Sequence, residues 1–511
     1  MQIRSFLRST GTIFHHLIAV SKQHTLPVRL LLAVFFLFIP LNTAHSQFFR
    51  PYISRYQEAS DRLPSNNITD IVINGGAVWF GTGRGLGMTA DAGNSFTDFV
   101  NSPGISRGGI SAVTLHDGSI WIATAIDTAA AGNIELAGSG ISWSDDNGMT
   151  WTHINQPVDP NNPDSLGYMP TTTTIQNVTF DLVHHVGAVW IASWGGGLRK
   201  STDNGQTFSV VTPDGIPFDA LNRLNHRAFS LLSSGDDLWV GTAQGVNRSS
   251  DGGDTWTNYT AQNSGISGNF VTALGKQVVP EGTIIWAATW QAEGTEEYYG
   301  VSRTTDNGQT WSTMLEGEFV HNFGFNGDEV YAVSDNGLFK SSDRGGHWGQ
   351  FPWIRDQRGQ QIYTTEFFSV AYGSGILWAG TADGLIKSLD GGISWSIFRS
   401  FVTPGTGGEP EVYAYPNPFS PTRDNLRGGS GHVRVQYTIS SPSAVSLDIY
   451  DYGLNIVKSV VNRQMRTVSG PHAEAWDGTN NWGRMVANGV YFYKLHIDGK
   501  GAFWGKIIVM N

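Results

Sequence analysis

The chain has 511 residues, with 43 acidic against 32 basic side chains, a formal net charge of −11 and no cysteine. The acidic balance argues against nucleic acid as a partner. The absence of cysteine excludes disulfides, thiolate metal sites and a cysteine nucleophile.

Residues 1–46 read as an export signal. They hold Arg4, Arg8, Lys22 and Arg29 and no acidic residue, then the apolar run Leu30 to Leu41, then Ala44-His45-Ser46 before Gln47. Spanning a bilayer takes about 20 apolar residues, more than this run supplies. A cleaved signal is expected, with an uncleaved anchor as the alternative. Cleavage would take the net charge to −15. An exported chain without disulfides is held by packing, and 18 Trp and 27 Phe suit that demand.

Residues 47–402 carry a sevenfold repeat. Its second half reads Ser/Thr-x-Asp-x-Gly-x-Thr/Ser-Trp/Phe, first as Thr89-Ala90-Asp91-Ala92-Gly93-Asn94-Ser95-Phe96. The repeated aspartates are Asp91, Asp146, Asp203, Asp251, Asp306, Asp343 and Asp390, with His347 replacing the hydroxyl residue in the sixth copy. Each copy follows an apolar phrase containing Trp79, Trp121, Trp190, Trp239, Trp286, Tyr331 or Trp378. In the first unit, strands are expected at 68–73, 77–82, 85–89 and 95–100, with turn residues between them. Four short antiparallel strands repeated seven times predict an all-β fold, a seven-bladed β-propeller. In each Asp phrase, Gly permits a positive φ while the carboxylate and hydroxyl bond across the turn. That makes the seven aspartates structural rather than catalytic or calcium-binding, and the repeat tryptophans core.

These phrases resemble the Asp-box (BNR-like) repeats of bacterial sialidases, xyloglucanases, the sortilin family and photosystem assembly factors. The Trp-x-Gly/Ala-Thr…Gly-Leu portion also resembles the periplasmic sensor propellers of two-component regulators.

Residues 403–411 read as a linker. Residues 412–511 differ in kind, with alternating strands at 433–437, 445–450, 490–495 and 506–509 that suggest a small β-sandwich. Tyr415-Pro416-Asn417-Pro418-Phe419, Trp476-Asp477-Gly478 and Asn488-Gly489-Val490-Tyr491 resemble the Ig-like domain of the flagellar hook-capping protein. They equally resemble C-terminal sorting domains of type IX secretion substrates. The second resemblance implies that 412–511 are read by the outer-membrane translocon, so the chain would be secreted or held on the outer-membrane surface. An accessory Ig-like domain is the alternative.

Spacing between the strand-two aromatic and the Asp points to enlarged loops near 125–139 and 290–300 and a long connection at 155–177. All emerge on one propeller face, opposite the Asp turns. Candidate ligand-binding residues there are Trp194, Trp290, Asp159, Asp164, Tyr168, Glu296, Glu297 and Tyr298, with Glu293 and Tyr299 beside them. Aromatics beside carboxylates suit a glycan or a peptide; packing of both tryptophans beneath long loops is the competing reading.

No catalytic constellation is recognised. The sialidase Phe/Tyr-Arg-Ile-Pro motif is absent, and a glycoside hydrolase would need two carboxylates about 5–10 Å apart. His184 and His185 are adjacent in a strand, so their side chains point to opposite faces and cannot easily share a metal. No metal and no cofactor are expected. The leading expectation is an exported, non-catalytic binding protein for glycan or protein, with no membrane span after signal cleavage. A secreted glycoside hydrolase is the alternative.

Overall fold

The computed structural model describes residues 63–510, apart from 131, 293, 295, 407–409 and 422–430. The expected signal at 1–46, and Glu293, lie outside the described residues. The fold is all-β. Seven four-stranded antiparallel sheets follow one another between Ile68 and Phe398, each built from four strands consecutive in sequence. Their first strands touch in a closed circle, the strand Ile68–Asn74 meeting both Gly109–His116 and Phe367–Gly373.

The second strand explains the repeat. In Ala77–Thr82 every residue after the first is buried. Alternate side chains leave opposite faces of a strand, so Trp79 packs onto Ile110 and Val113 of the second blade while Phe80 packs onto Trp378 of the seventh. All six strand-two tryptophans are at most 2% exposed. The fourth strands are only two or three residues long, which leaves little unpaired edge for another chain.

The Asp turns stitch neighbouring blades together. In the first, Thr89 Oγ1 donates to Asp91 Oδ1 at 2.9 Å and accepts from Gly93 N at 2.8 Å. Asp91 also accepts from Ser95 N at 2.9 Å and Ser95 Oγ at 2.6 Å. The two central residues have positive φ, Ala92 at 56° and Gly93 at 88°, as a tight hairpin requires. The glycine has a second reason to be there. A Cβ on Gly205 would stand 2.8 Å from Trp121, and one on Gly253 would stand 2.5 Å from Trp190. Each of these turns therefore seats on the tryptophan of the preceding blade. In the sixth turn His347 Nδ1 takes the hydroxyl's place, 2.6 Å from Asp343 Oδ2.

His184 and His185 do face opposite sides. His184 stacks on His116 of the second blade at 4.1 Å, while His185 Nδ1 lies 2.9 Å from Ser233 Oγ of the fourth.

Residues 412–510 form a two-sheet sandwich. The strands Val412–Tyr415, Val433–Ile439 and Gly470–Trp476 make one sheet. Ile456–Arg466, Ser443–Tyr450, Gly489–Ile497 and Gly501–Val509 make the other. Phe419, Val435, Tyr437, Leu447, Trp476 and Leu495 are among the residues that fill the core between them. The expected strands at 433–437, 445–450, 490–495 and 506–509 all lie within observed strands.

Candidate ligand-binding site

Strand pairing fixes which loops share a face. Ile68, at the start of the first strand, pairs with Thr82 at the end of the second. The connections between blades and the loops after second strands therefore emerge together, and the Asp turns lie at the other end. The enlarged segments do gather on this face, but not all of them are loops. In blade two the extra residues extend both strands into a hairpin, Ser119–Ala130 paired with Asn133–Ser144. The connection 155–177 lies along it through Gly138 N to Thr174 O and Gln176 N to Leu136 O. Two further long connections, 212–227 and 351–366, have no signature in the strand-two-to-Asp spacing.

Several expected site residues have local structural roles. Asp159 is buried and accepts two hydrogen bonds of 2.8 Å from Arg199, one of 2.8 Å from Thr171 N and one from Tyr168 Oη. Burial alone would raise its pKa, but the Arg199 bonds and charge overcome it and hold the carboxyl below the usual range. Asp159 and Tyr168 thus meet each other and pin the 155–177 connection. Asp164 is exposed on the one-turn helix Pro163–Leu166. Glu297 is buried and accepts from Asn269 N, Asn269 Nδ2, Ala292 N and Gly294 N, which gathers Asn269, Ala292 and Gly294 around it. Glu296 beside it is exposed. Tyr298 donates to Thr313 Oγ1 at 2.8 Å. Trp290 is 4% exposed and donates to Val320 O, so it packs under the loop. Trp194 is half-buried, with the Arg227 guanidinium 5.2 Å from its ring centroid.

Sequence reasoning missed the feature that organises this face. Every blade carries a β-bulge at the same place in its first strand. The extra residues are Thr69, Ser111, Phe180, Phe229, Thr272, His321 and Phe368. A bulge re-aims its side chain out of the ladder's alternation. Thr69 and Ser111 donate to Ile110 O and Thr179 O of the next blade. Four larger bulge residues, Phe180, Phe229, His321 and Phe368, join Phe270 and Trp290 in a continuous arc of rings on this face. Centroid separations run 5.5 Å from Phe180 to Phe229, 4.5 Å on to Phe270, 5.8 Å on to Trp290, 5.6 Å on to His321 and 6.0 Å on to Phe368. Phe180, Phe270, His321 and Phe368 remain partly exposed. His321 Nε2 sits 2.6 Å from Asp335 Oδ1, which puts a charge-capable pair within the arc. The signal was present: in six blades the bulge residue stands ten positions before the strand-two aromatic.

One residue deeper, Asp70 and Asp181 follow their bulges. Each carboxylate bridges two blades, Asp70 through Ile71 N and Val113 N, Asp181 through Leu182 N and Leu231 N. Burial pushes their pKa values up to about 6 and about 7. Among the described residues, no three His, Asp or Glu side chains gather as a metal would require. No described helix is long and apolar enough to cross a membrane.

No family model matches the chain, and no curated protein matches it. Among solved structures, PorZ, a surface component of the type IX secretion system of Porphyromonas gingivalis, is 14% identical over 86% of this chain and 69% of its own, with a TM-score of 0.35. YCF48 from Cyanidioschyzon merolae is 16% identical over 64% and 96%, with a TM-score of 0.42. The GH74 enzyme of Niastella koreensis is 12% identical over 88% and 74%, with a TM-score of 0.48. Similarity at this level carries no functional argument.

Proposed function

We propose that the chain is an exported, non-catalytic binding protein. Its propeller holds a glycan or protein ligand on the face that carries the enlarged segments, and residues 412–511, an Ig-like sorting domain, direct type IX secretion to the cell surface. The observation that carries the binding role is the arc of rings on that face, of which Phe180, Phe270, His321 and Phe368 are partly exposed. Aromatic faces are the usual platform for sugar rings and for apolar peptide side chains. The sorting role rests on the Tyr415-Pro416-Asn417-Pro418-Phe419 and Asn488-Gly489-Val490-Tyr491 resemblance.

The test is a glycan array probed with residues 47–511, with released reducing sugar followed in the same wells. Binding without products is expected. Phe180→Ala combined with Phe368→Ala should weaken it at least tenfold while the far-UV spectrum stays unchanged. Unaltered binding by that double variant would remove the arc from the site. One observation favours the hydrolase alternative: Asp70 and Asp181, on first strands, are carboxyls whose pKa values are raised toward neutral pH. Sugar release abolished by Asp181→Asn would establish that alternative.

A further inference from the structure

The sandwich contains a strand buried on both faces. In Val433–Ile439, Val433, Val435, Tyr437 and Ile439 point into the sandwich core. The alternate residues should then face solvent, yet Arg434 is 8% and Gln436 5% exposed. The last propeller blade covers Arg434.

The contact centres on Asp383, in the turn between Ile376–Thr381 and Gly384–Ser388 and 2% exposed. Its carboxylate accepts from Arg399 Nη2 at 2.9 Å and Tyr363 N at 3.1 Å, both within the propeller, and from Arg434 Nη2 of the sandwich. His432 Nε2 lies 4.0 Å away, its ring 4.9 Å from that of Tyr363, and the Arg434 guanidinium sits 5.8 Å over the same tyrosine. Tyr413 adds a hydrogen bond to Val402 O. Burial draws Arg434 down to about 10, so it stays cationic at neutral pH. A carboxylate shared by two guanidiniums in a buried contact is screened little by salt, and parting it would oblige Arg434 to give up a buried ionic partner. In the linker, Gly405 N donates to Pro410 O and Thr406 N to Thr403 O.

We infer that the sandwich is a bound partner of the last blade in its own right, anchored by Arg434 on Asp383, and that it stays attached when the 403–411 linker is cut. Scission there would yield a two-fragment complex rather than a free propeller.

The experiment introduces a specific protease site into residues 403–411 of the full chain, cuts it, and runs gel filtration at neutral pH and physiological salt. The fragments should co-elute. After cutting, Arg434→Gln should release the sandwich, with affinity weakened at least 100-fold, whereas Arg463→Gln, in an exposed ion pair with Asp498 on the other sheet, should not. Both variants are melted uncut first, to confirm a native propeller. Separation of the fragments from the unsubstituted chain overturns the inference, and that result does not depend on any variant folding. Continued co-elution of cut Arg434→Gln removes the Asp383 anchor.

Discussion

At the residue scale, the repeat motif is a packing device as much as a turn. Gly252 and Gly253 are adjacent, both with positive φ (73° and 96°), but only Gly253 lies against Trp190. Gly252→Ala should cost about 1 kcal/mol, the left-handed backbone term alone. Gly253→Ala adds a Cβ 2.5 Å from the indole and should cost roughly 2–4 kcal/mol. Denaturant unfolding of the two variants separates the terms, and equal losses would refute the seating of the turn on Trp190. His184 gives a second residue-level expectation. Burial, then the neighbouring His116, lowers its pKa to about 4, and its Nε2 has no hydrogen-bond partner. The folded state therefore holds it neutral. The resulting stability is complete above the unfolded value of about 6.5 and is lost as pH falls toward 4. Asp70 and Asp181 act in the opposite sense, because raised carboxyl pKa values make stability fall as pH rises from about 4 to about 7. The readout is thus a difference: His184→Phe should gain melting temperature over the parent chain at pH 5 and less at pH 8. An equal gain at both pH values would mean His184 does not titrate as described.

At the element scale, strands were legible in proportion to how one-sided or continuous their burial is. The second strand of each blade is covered on both faces, so it shows as an apolar run around Trp or Tyr. The fourth strand, Thr97–Asp98 in the first blade, is too short for any alternation to show. In the sandwich, Ile456–Arg466 is exposed at most positions and so leaves no period-two pattern. The enlarged segment of blade two was legible as an insertion but not as a hairpin, because Ile126, Asp127, Asn133 and Ile134 are exposed and show no alternation against a core. Likewise, the sequence put Asp159 and Glu297 in the enlarged segments, but only coordinates show that their carboxylates are occupied, Asp159 by Arg199 and Glu297 by Asn269 and backbone N–H groups. The hairpin's visible role is to support the 155–177 connection through the Leu136–Gln176 hydrogen bond and the Ala137–Ile175 bridge. Replacing 126–137 by an Asn-Gly turn should leave the ring folded and make 155–177 the first site of limited proteolysis. Loss of the fold, or an unchanged digestion pattern, would refute that role.

At the scale of the whole molecule, the ring has one seam unlike the rest. Six of the seven junctions between blades are crossed by the chain itself. The junction between the first and last blades is not, and because every blade is made of consecutive strands, no strand is shared across it among the described residues. What closes it is packing of Phe80 on Trp378 together with a few polar links. Asn66 Nδ2 donates to Ser400 O at 3.2 Å and Asn66 Oδ1 accepts from Ser400 N at 2.6 Å, while Ser374 Oγ donates to Gly75 O and Lys387 Nζ to Ala92 O. A junction without a covalent crossing has no loop-closure advantage when it parts, so it should open at lower free energy than the other six. Native-state hydrogen exchange should therefore find amides of Ile68–Asn74 and Phe367–Gly373 exchanging before their equivalents in the third and fourth blades. Asn66→Ala removes both Asn66–Ser400 hydrogen bonds and should lower the opening free energy at that seam by about 1–2 kcal/mol, with little effect on protection in the fourth blade. If the third and fourth blades exchange first, or if Asn66→Ala lowers protection evenly around the ring, the seven junctions are equivalent and closure is a property of the packed circle rather than of its seam.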